Sequence, residues 1–153
     1  MNDYGQCGVL PENKEIFVPS LLTSFIGGSP ISVSCGENHS AATTELGEAF
    51  IWGANCGESF LTHQSFPHRI ESLWKNHSFV CKISCGKFHN VYMVDKALTQ
   101  AMRTLASCSK DESAYESAYI KKVLLLLPTS SVSLLHKRLN LFRGESKAQI
   151  IFF

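Results

Sequence analysis

Two stretches fifty residues apart place a cysteine and a histidine at the same spacing: Ser-Cys-Gly-Glu-Asn-His-Ser over residues 34–40 and Ser-Cys-Gly-Lys-Phe-His-Asn over 84–90. Cysteine and histidine are zinc ligands, and a structural zinc takes four such donors converging at about 2.0 to 2.3 Å. The same pair could act as nucleophile and base, which needs a thiolate in an electropositive, partly exposed setting. Neither chemistry is supported by the pattern. Cys35/His39 and Cys85/His89 hold equivalent positions in successive units, so they should lie one unit apart instead of converging. Each cysteine closes an apolar run, and a residue that recurs once per unit is architectural. The expected role is a small buried thiol with a histidine that satisfies backbone groups at a tight turn.

The other candidates are weaker. His63, His68 and His77 fall in polar, loop-like sequence, and His136 sits among basic residues. Gly27-Gly28-Ser29-Pro30 lacks the Lys-Ser/Thr of a phosphate-binding loop. Glu45 and Glu48 flank a hairpin, where solubilising charges normally sit. No catalytic, metal-binding or cofactor-binding residue is expected. Of the two tryptophans, Trp52 reads as core, while Trp74, beside Lys75 and Asn76, is a candidate exposed anchor for a protein partner.

The spacing that undermines a metal site defines the elements. Ile31 aligns with Cys81, Val33 with Ile83, Cys35 with Cys85, Gly36 with Gly86 and His39 with His89, all at an offset of fifty. Upstream, Val18 and Leu21 match Ile70 and Leu73 at fifty-two, as Gly5 matches Gly57. A unit of about fifty residues lies in the range of propeller blades and solenoids. Its interior is β in character: Ile31–Cys35 alternates apolar and polar, and Ala49–Trp52 is β-rich and stops at Gly53. Glu45, Leu46 and Gly47 form a three-residue hairpin loop whose glycine takes the left-handed position. Ala49 and Ile51 face one way and Phe50 and Trp52 the other, so this strand should be covered on both sides, like a blade between neighbours.

Composition sets wider bounds. The chain has 153 residues, 44% of them apolar, enough for one domain with a core. Its formal charge of +1 divides unevenly, net −4 over residues 1–95 (five basic against nine acidic) and net +5 over 96–153 (nine against four). The polar, glycine-bearing start does not resemble a secretory signal. The longest apolar run, Val123–Leu127, stops at Pro128, far below the ~20 residues of a membrane helix. The expectation is an intracellular chain, cytoplasmic or nuclear, without a membrane span, whose six cysteines are reduced.

The ordered series Ile31 to Asn55, Phe66 to Leu73 and Cys81 to His89 resembles the repeat of the regulator of chromosome condensation family of seven-bladed propellers. That repeat has an apolar strand ending in Cys-Gly, a following His, a glycine hairpin, a strand ending in Trp-Gly, then Asn and a glycine-rich loop. Asn2–Gly8 looks like the last loop of a preceding unit. The resemblance runs from Asn2 to about Val94. It marks Gly5, Cys35, Gly36 and His39, then Gly47, Trp52, Gly53 and Gly57, then Cys85, Gly86 and His89 as structural repeat positions. Kelch and tryptophan-aspartate propellers fit less well, because Gly27-Gly28 lacks the kelch Tyr and Trp spacing and no Trp-Asp dipeptide closes a strand.

There are also departures. Gly57–Phe60 has lost the loop's second glycine, and the second unit does not produce a glycine hairpin and Trp-Gly strand after Asp95. The expected fold is mainly β with an α-helical C-terminal tail: a partial β-propeller with one complete four-stranded blade, roughly Ile31 to Leu73, flanked by partial blades. Residues 1–95 would form this part and 96–153 the tail. Such propellers often end in a half blade, and Val91–Val94 fits that ending.

The resemblance implies a protein-protein interaction module without catalysis of its own, in a fragment or truncated isoform, or one completed by its helices, another copy or a partner. The alternative is a guanine-nucleotide exchange factor or regulator of a small GTPase, since the family's founding member exchanges nucleotide on one and binds chromatin. No complete propeller face and no wedge-like insertion is visible for that task. Similarity to the retinitis pigmentosa GTPase regulator branch, through Ser34–His39 and the half-blade ending, implies a ciliary setting. Open blade edges imply self-association.

After Lys96 the period becomes helical. Ala97, Leu98, Ala101, Met102 and Leu105 make one amphipathic helix, 109–127 a second ended by Pro128, and 132–142 a third stopped by Gly144. Lys137, Arg138 and Arg143 form a basic face that reads first as the wet side of a helix and second as a contact for nucleic acid or acidic lipid.

Overall fold

The computed structural model describes residues 1–23, 25, 28–54, 63–107 and 133. Gly57, the second expected helix and all of the third but Ser133 lie outside the described residues. The chain divides into two compact units, Met1–Val94 and Asp95–Phe153.

Among the described residues the first unit has six strands and a short helix. Strands β1 (Pro30–Cys35), β2 (His39–Thr44), β3 (Ala49–Gly53) and β4 (Gln64–Arg69) form an antiparallel sheet in sequence order. Helix α1 (Glu71–Lys75) follows, then β5 (Val80–Cys85) and β6 (Asn90–Val94), paired antiparallel as a two-stranded sheet. The mainly β fold with a complete four-stranded blade is therefore present. The segment after Arg69, aligned by its apolar pattern with Val18 and Leu21, is helix α1 and not part of a strand.

Local chemistry explains these elements. All six residues of β2, His-Ser-Ala-Ala-Thr-Thr, are buried, because small side chains let a strand be covered closely on both faces. The β2–β3 turn closes through the Gly47 amide to the Thr44 carbonyl at 2.9 Å, with Gly47 at φ 72°, a left-handed conformation that suits glycine. Leu46 at its tip turns inward and is buried. Pro67 is tolerated because β4 is the outer strand, where a missing amide breaks no inner ladder.

The repeat seen in the sequence is a repeat of backbone pairing. Residues β1 to β2 pair as Pro30–Thr44, Ser32–Thr43, Val33–Ala42, Ser34–Ala41 and Cys35–Ser40. In β5 and β6 the pairs are Val80–Val94, Lys82–Met93, Ile83–Tyr92, Ser84–Val91 and Cys85–Asn90, the same positions plus fifty. Even the register irregularity recurs, between Pro30 and Ser32 and between Val80 and Lys82.

Alternation along the strands gives the four-stranded blade two apolar faces. One carries Ala41 and Ile51, which pack with Ile83 and with the half-buried Ile70, Cys85 and Tyr92. The other carries Ala42, Phe50 and Trp52, against which Leu22 and Phe25 of the N-terminal segment pack. Phe25 meets Phe50 and Trp52 edge-on, at centroid distances of 5.3 and 6.1 Å. Burying a large side chain of this kind contributes about 1.5–3 kcal/mol.

In the second unit, α2 (Lys96–Ser107) covers the first expected tail helix. Asp95 caps it, its Oδ1 accepting the Leu98 amide at 2.9 Å. Leu98, Ala101 and Met102 are its buried residues of the expected apolar face.

Three sequence expectations need correction. Cys35 is exposed and not a buried thiol, because no strand lies over the β1 positions on its side of the sheet among the described residues. Trp74 is not an exposed anchor. It is 9% exposed within α1, and the Arg69 guanidinium lies over its ring at 4.2 Å. Glu48 is not a solubilising surface charge. Its side chain is 1% exposed, and Arg69 Nη1 meets its Oε1 at 3.4 Å.

Candidate functional site

The two Cys-Gly-x-x-His turns share one geometry. The Gly36 amide donates to the His39 carbonyl and the Gly86 amide to the His89 carbonyl, both at 2.8 Å. Each histidine ring lies back over its glycine: a Cβ on Gly36 would meet His39 Cε1 at 2.2 Å, and one on Gly86 would meet His89 Cε1 at 2.2 Å. The ring occupies the space a side chain would take, and at Gly36 the Gly86 carbonyl closes that space further. Gly53, at φ 102°, is held in the same way beside the Asn38 carbonyl, where a Cβ would come within 2.4 Å. Gly5 closes the N-terminal loop at φ 75°, its missing Cβ facing Ser65.

The turns meet across the sheets. His39 Nε2 hydrogen-bonds Asn90 Oδ1 at 3.0 Å. An amide oxygen only accepts, so the ring proton sits on Nε2. The Ser34 hydroxyl oxygen accepts the Cys85 amide at 2.9 Å, and the Cys85 thiol donates to the Ser34 carbonyl at 3.4 Å. The Glu37 amide reaches the Lys87 carbonyl at 3.4 Å, and Lys87 Nζ pairs with Glu37 at 3.3 Å. Burial pushes the Cys85 thiol up, outweighing its hydrogen bond with Ser34. Such a thiol is neutral at pH 7 and a poor nucleophile. Among the described residues no three His, Cys, Asp or Glu side chains gather where they could hold a metal ion.

Part of what remains open on this unit is apolar, including Phe17, Val18 and Leu21 of the N-terminal segment. On β1 the stripe Ile31, Val33 and Cys35 faces outward, Val33 at 70% exposure. At the other end Val91 and Met93 of β6 face outward, Val91 at 61%, with Phe88 exposed beside them. These two surfaces are related. Val33 is the repeat equivalent of Ile83, which is buried against Ala41 and Ile51. Val91 is the equivalent of Ala41 itself. One open surface has the character of the inserting side of the internal interface and the other that of its receiving side.

Sequence reasoning picked out Cys35, Gly36, His39, Cys85, Gly86 and His89; the structure brings Gly36, His39, Cys85 and Gly86 to the sheet-to-sheet boundary, while Cys35 and His89 are exposed away from it. Trp52 and Gly53 lie at the β3 end beside it, and Gly47 closes the far hairpin. Sequence reasoning missed Ser34 and Asn90. Ser34 has the pattern of a polar residue between two apolar ones, and only its place opposite the Cys85 amide gives it a task. His89 is exposed while His39 is buried, although their turns match.

Comparison with known proteins agrees with this geometry. The regulator of chromosome condensation (RCC1) repeat matches residues 1–43, and a second form of that repeat matches 31–58. The human probable E3 ubiquitin-protein ligase HERC4 is 35% identical over 92 residues, covering 58% of this chain and 8% of that protein. Human RCC1 domain-containing protein 1 is 31% identical over 83 residues, covering 51% of this chain and 22% of its own length. The crystal structure of human WBSCR16 superposes with a TM-score of 0.54 at 22% identity, over 63% of this chain and 26% of that one. The chain therefore spans a small part of each of these relatives.

Proposed function

We propose that this chain, which carries repeats of the regulator of chromosome condensation family, is a protein-protein interaction module that works by presenting blade surfaces and has no catalysis of its own. One observation carries the reading: the stacked sheets at residues 30–54 and 80–94 are satisfied where they meet, yet each turns an apolar surface outward, Ile31 and Val33 on one and Val91 and Met93 on the other. Apolar surface grouped in this way marks an association site. The ligase named for HERC4 is a property of that much longer protein, and the match covers only repeat sequence. On this reading residues 1–95 are the partial propeller and the residues from 96 a separate helical tail. The partner is a protein, and small GTPases are the class that the family suggests.

Cross-linking of the full chain in cells tests the reading, with mapping of links from Lys82 and Lys87, which flank the β6 surface. Intermolecular links at these lysines are expected, and their absence would refute it. Release of mant-GDP from a panel of small GTPases is expected to be unchanged by the chain. Stimulation at substoichiometric amounts would replace the binding reading with nucleotide exchange.

A further inference from the structure

The internal boundary between the two sheets is a worked example of what each open surface accepts. On the receiving side are Ser34, Glu37, His39 and Ala41, and on the inserting side Ile83, Cys85, Lys87 and Asn90. Because the pairing registers are identical at an offset of fifty, each side can be transposed by one unit. The receiving side becomes Ser84, Lys87, His89 and Val91, and the inserting side becomes Val33, Cys35, Glu37 and Ser40.

We propose that the chain associates head to tail with a second copy of itself, the Val33 stripe of one copy seated on the Val91 surface of the other. The chemistry of the transposed pairs is complementary. Ser84 presents its hydroxyl and carbonyl to Cys35 of the second copy, as Ser34 does to Cys85. Lys87 faces Glu37 of the second copy; both are partly exposed and each keeps its ion pair within its own chain, so the charges alternate along the stack. His89 is exposed in the single chain; Ser40, the repeat equivalent of Asn90, is buried and donates to the Gln6 carbonyl of its own chain at 2.8 Å, so this position supplies no transposed bond. Val91 meets Val33, both open in the single chain. Such a contact is heterologous, joining two different surfaces, so it continues from copy to copy until a ring closes or the ends are capped.

This deepens the interaction-module reading and rests on it. The test is sedimentation velocity of the full chain over a range of concentrations, with Val33→Glu and Val91→Glu. Both positions are exposed, so both variants should fold, which unchanged melting curves verify; Val33→Lys and Val91→Lys form an independent pair. Wild type is expected to sediment faster as concentration rises. Each variant alone should associate roughly tenfold or more weakly, because a charge would be buried without a partner. An equimolar mixture of the two variants should give a dimer and nothing larger, since Val33→Glu keeps an intact Val91 surface and Val91→Glu an intact Val33 stripe. A mixture that stays monomeric overturns the proposal, as does a Val91→Glu chain that associates like wild type. A monomeric wild type that still cross-links to another protein through Lys82 or Lys87 overturns self-association alone; one that cross-links to nothing overturns the module reading as well.

Discussion

His39 and Asn90 are 51 positions apart in the chain, and the histidine ring of the first turn hydrogen-bonds the residue that follows the histidine of the second, at 3.0 Å. The bond ties two copies of one turn across a sheet boundary. A double-mutant cycle with His39→Ala and Asn90→Ala, read by denaturant unfolding, should give a coupling of about 1 kcal/mol. Additive losses would mean that this bond is not formed.

The two turn glycines should differ in their tolerance of a side chain. In Gly36→Ala the new methyl meets a buried His39 ring and also the Gly86 carbonyl at 2.7 Å, which is backbone and cannot swing away. In Gly86→Ala it meets only the ring of His89, which is exposed and free to rotate outward. Gly36→Ala should cost about 1–3 kcal/mol, as overpacking does, and Gly86→Ala less than about 1 kcal/mol. Melting of the two variants side by side checks this.

The buried Glu48 carboxylate depends on Arg69. Arg69→Met keeps an apolar stem but removes the guanidinium that pairs with the buried carboxylate, and should cost roughly 1–3 kcal/mol, below a fully buried pair because Arg69 is partly exposed. Adding Glu48→Gln should recover part of the loss, as equilibrium unfolding of the double variant would show.

Cys85 should make the fold sensitive to alkali. Its folded value lies above the ordinary thiol value of 9.0 because burial disfavours the thiolate, so the native state holds the proton more tightly than the unfolded chain. The associated stability is complete below the ordinary value and is lost as pH rises through the raised one. The wild-type melting temperature should fall more steeply above about pH 9 than that of Cys85→Ser. Iodoacetamide at pH 8 should also label the exposed Cys35 faster than Cys85.

Much of this architecture is legible in the sequence because the unit is written twice. The match of Ile31, Val33, Cys35 and Gly36 with residues fifty further on is a statement about register, and the strand pairing repeats it residue by residue. Gly47 and Gly53 are readable because a left-handed backbone position admits few other residues. Cys35 misleads, because a strand-end cysteine is buried only when something lies over it, as Cys85 partly is. Trp74 misleads for the opposite reason. Its basic and polar neighbours suggest a surface, whereas a one-turn helix folds it under Arg69, a residue five positions earlier on the neighbouring strand. The task of Asn90 is invisible locally, since its partner lies in another unit.

The most direct test of the stacked repeat is a methyl and amide NOESY spectrum of the full chain. It should show contacts from the Ile83 methyls to those of Ala41 and Ile51, together with paired cross-strand contacts Val33–Ala42 and Ile83–Tyr92. Cross-strand contacts in only one of the two stretches, or two hairpins with no contact from Ile83 to Ala41 or Ile51, would contradict the account.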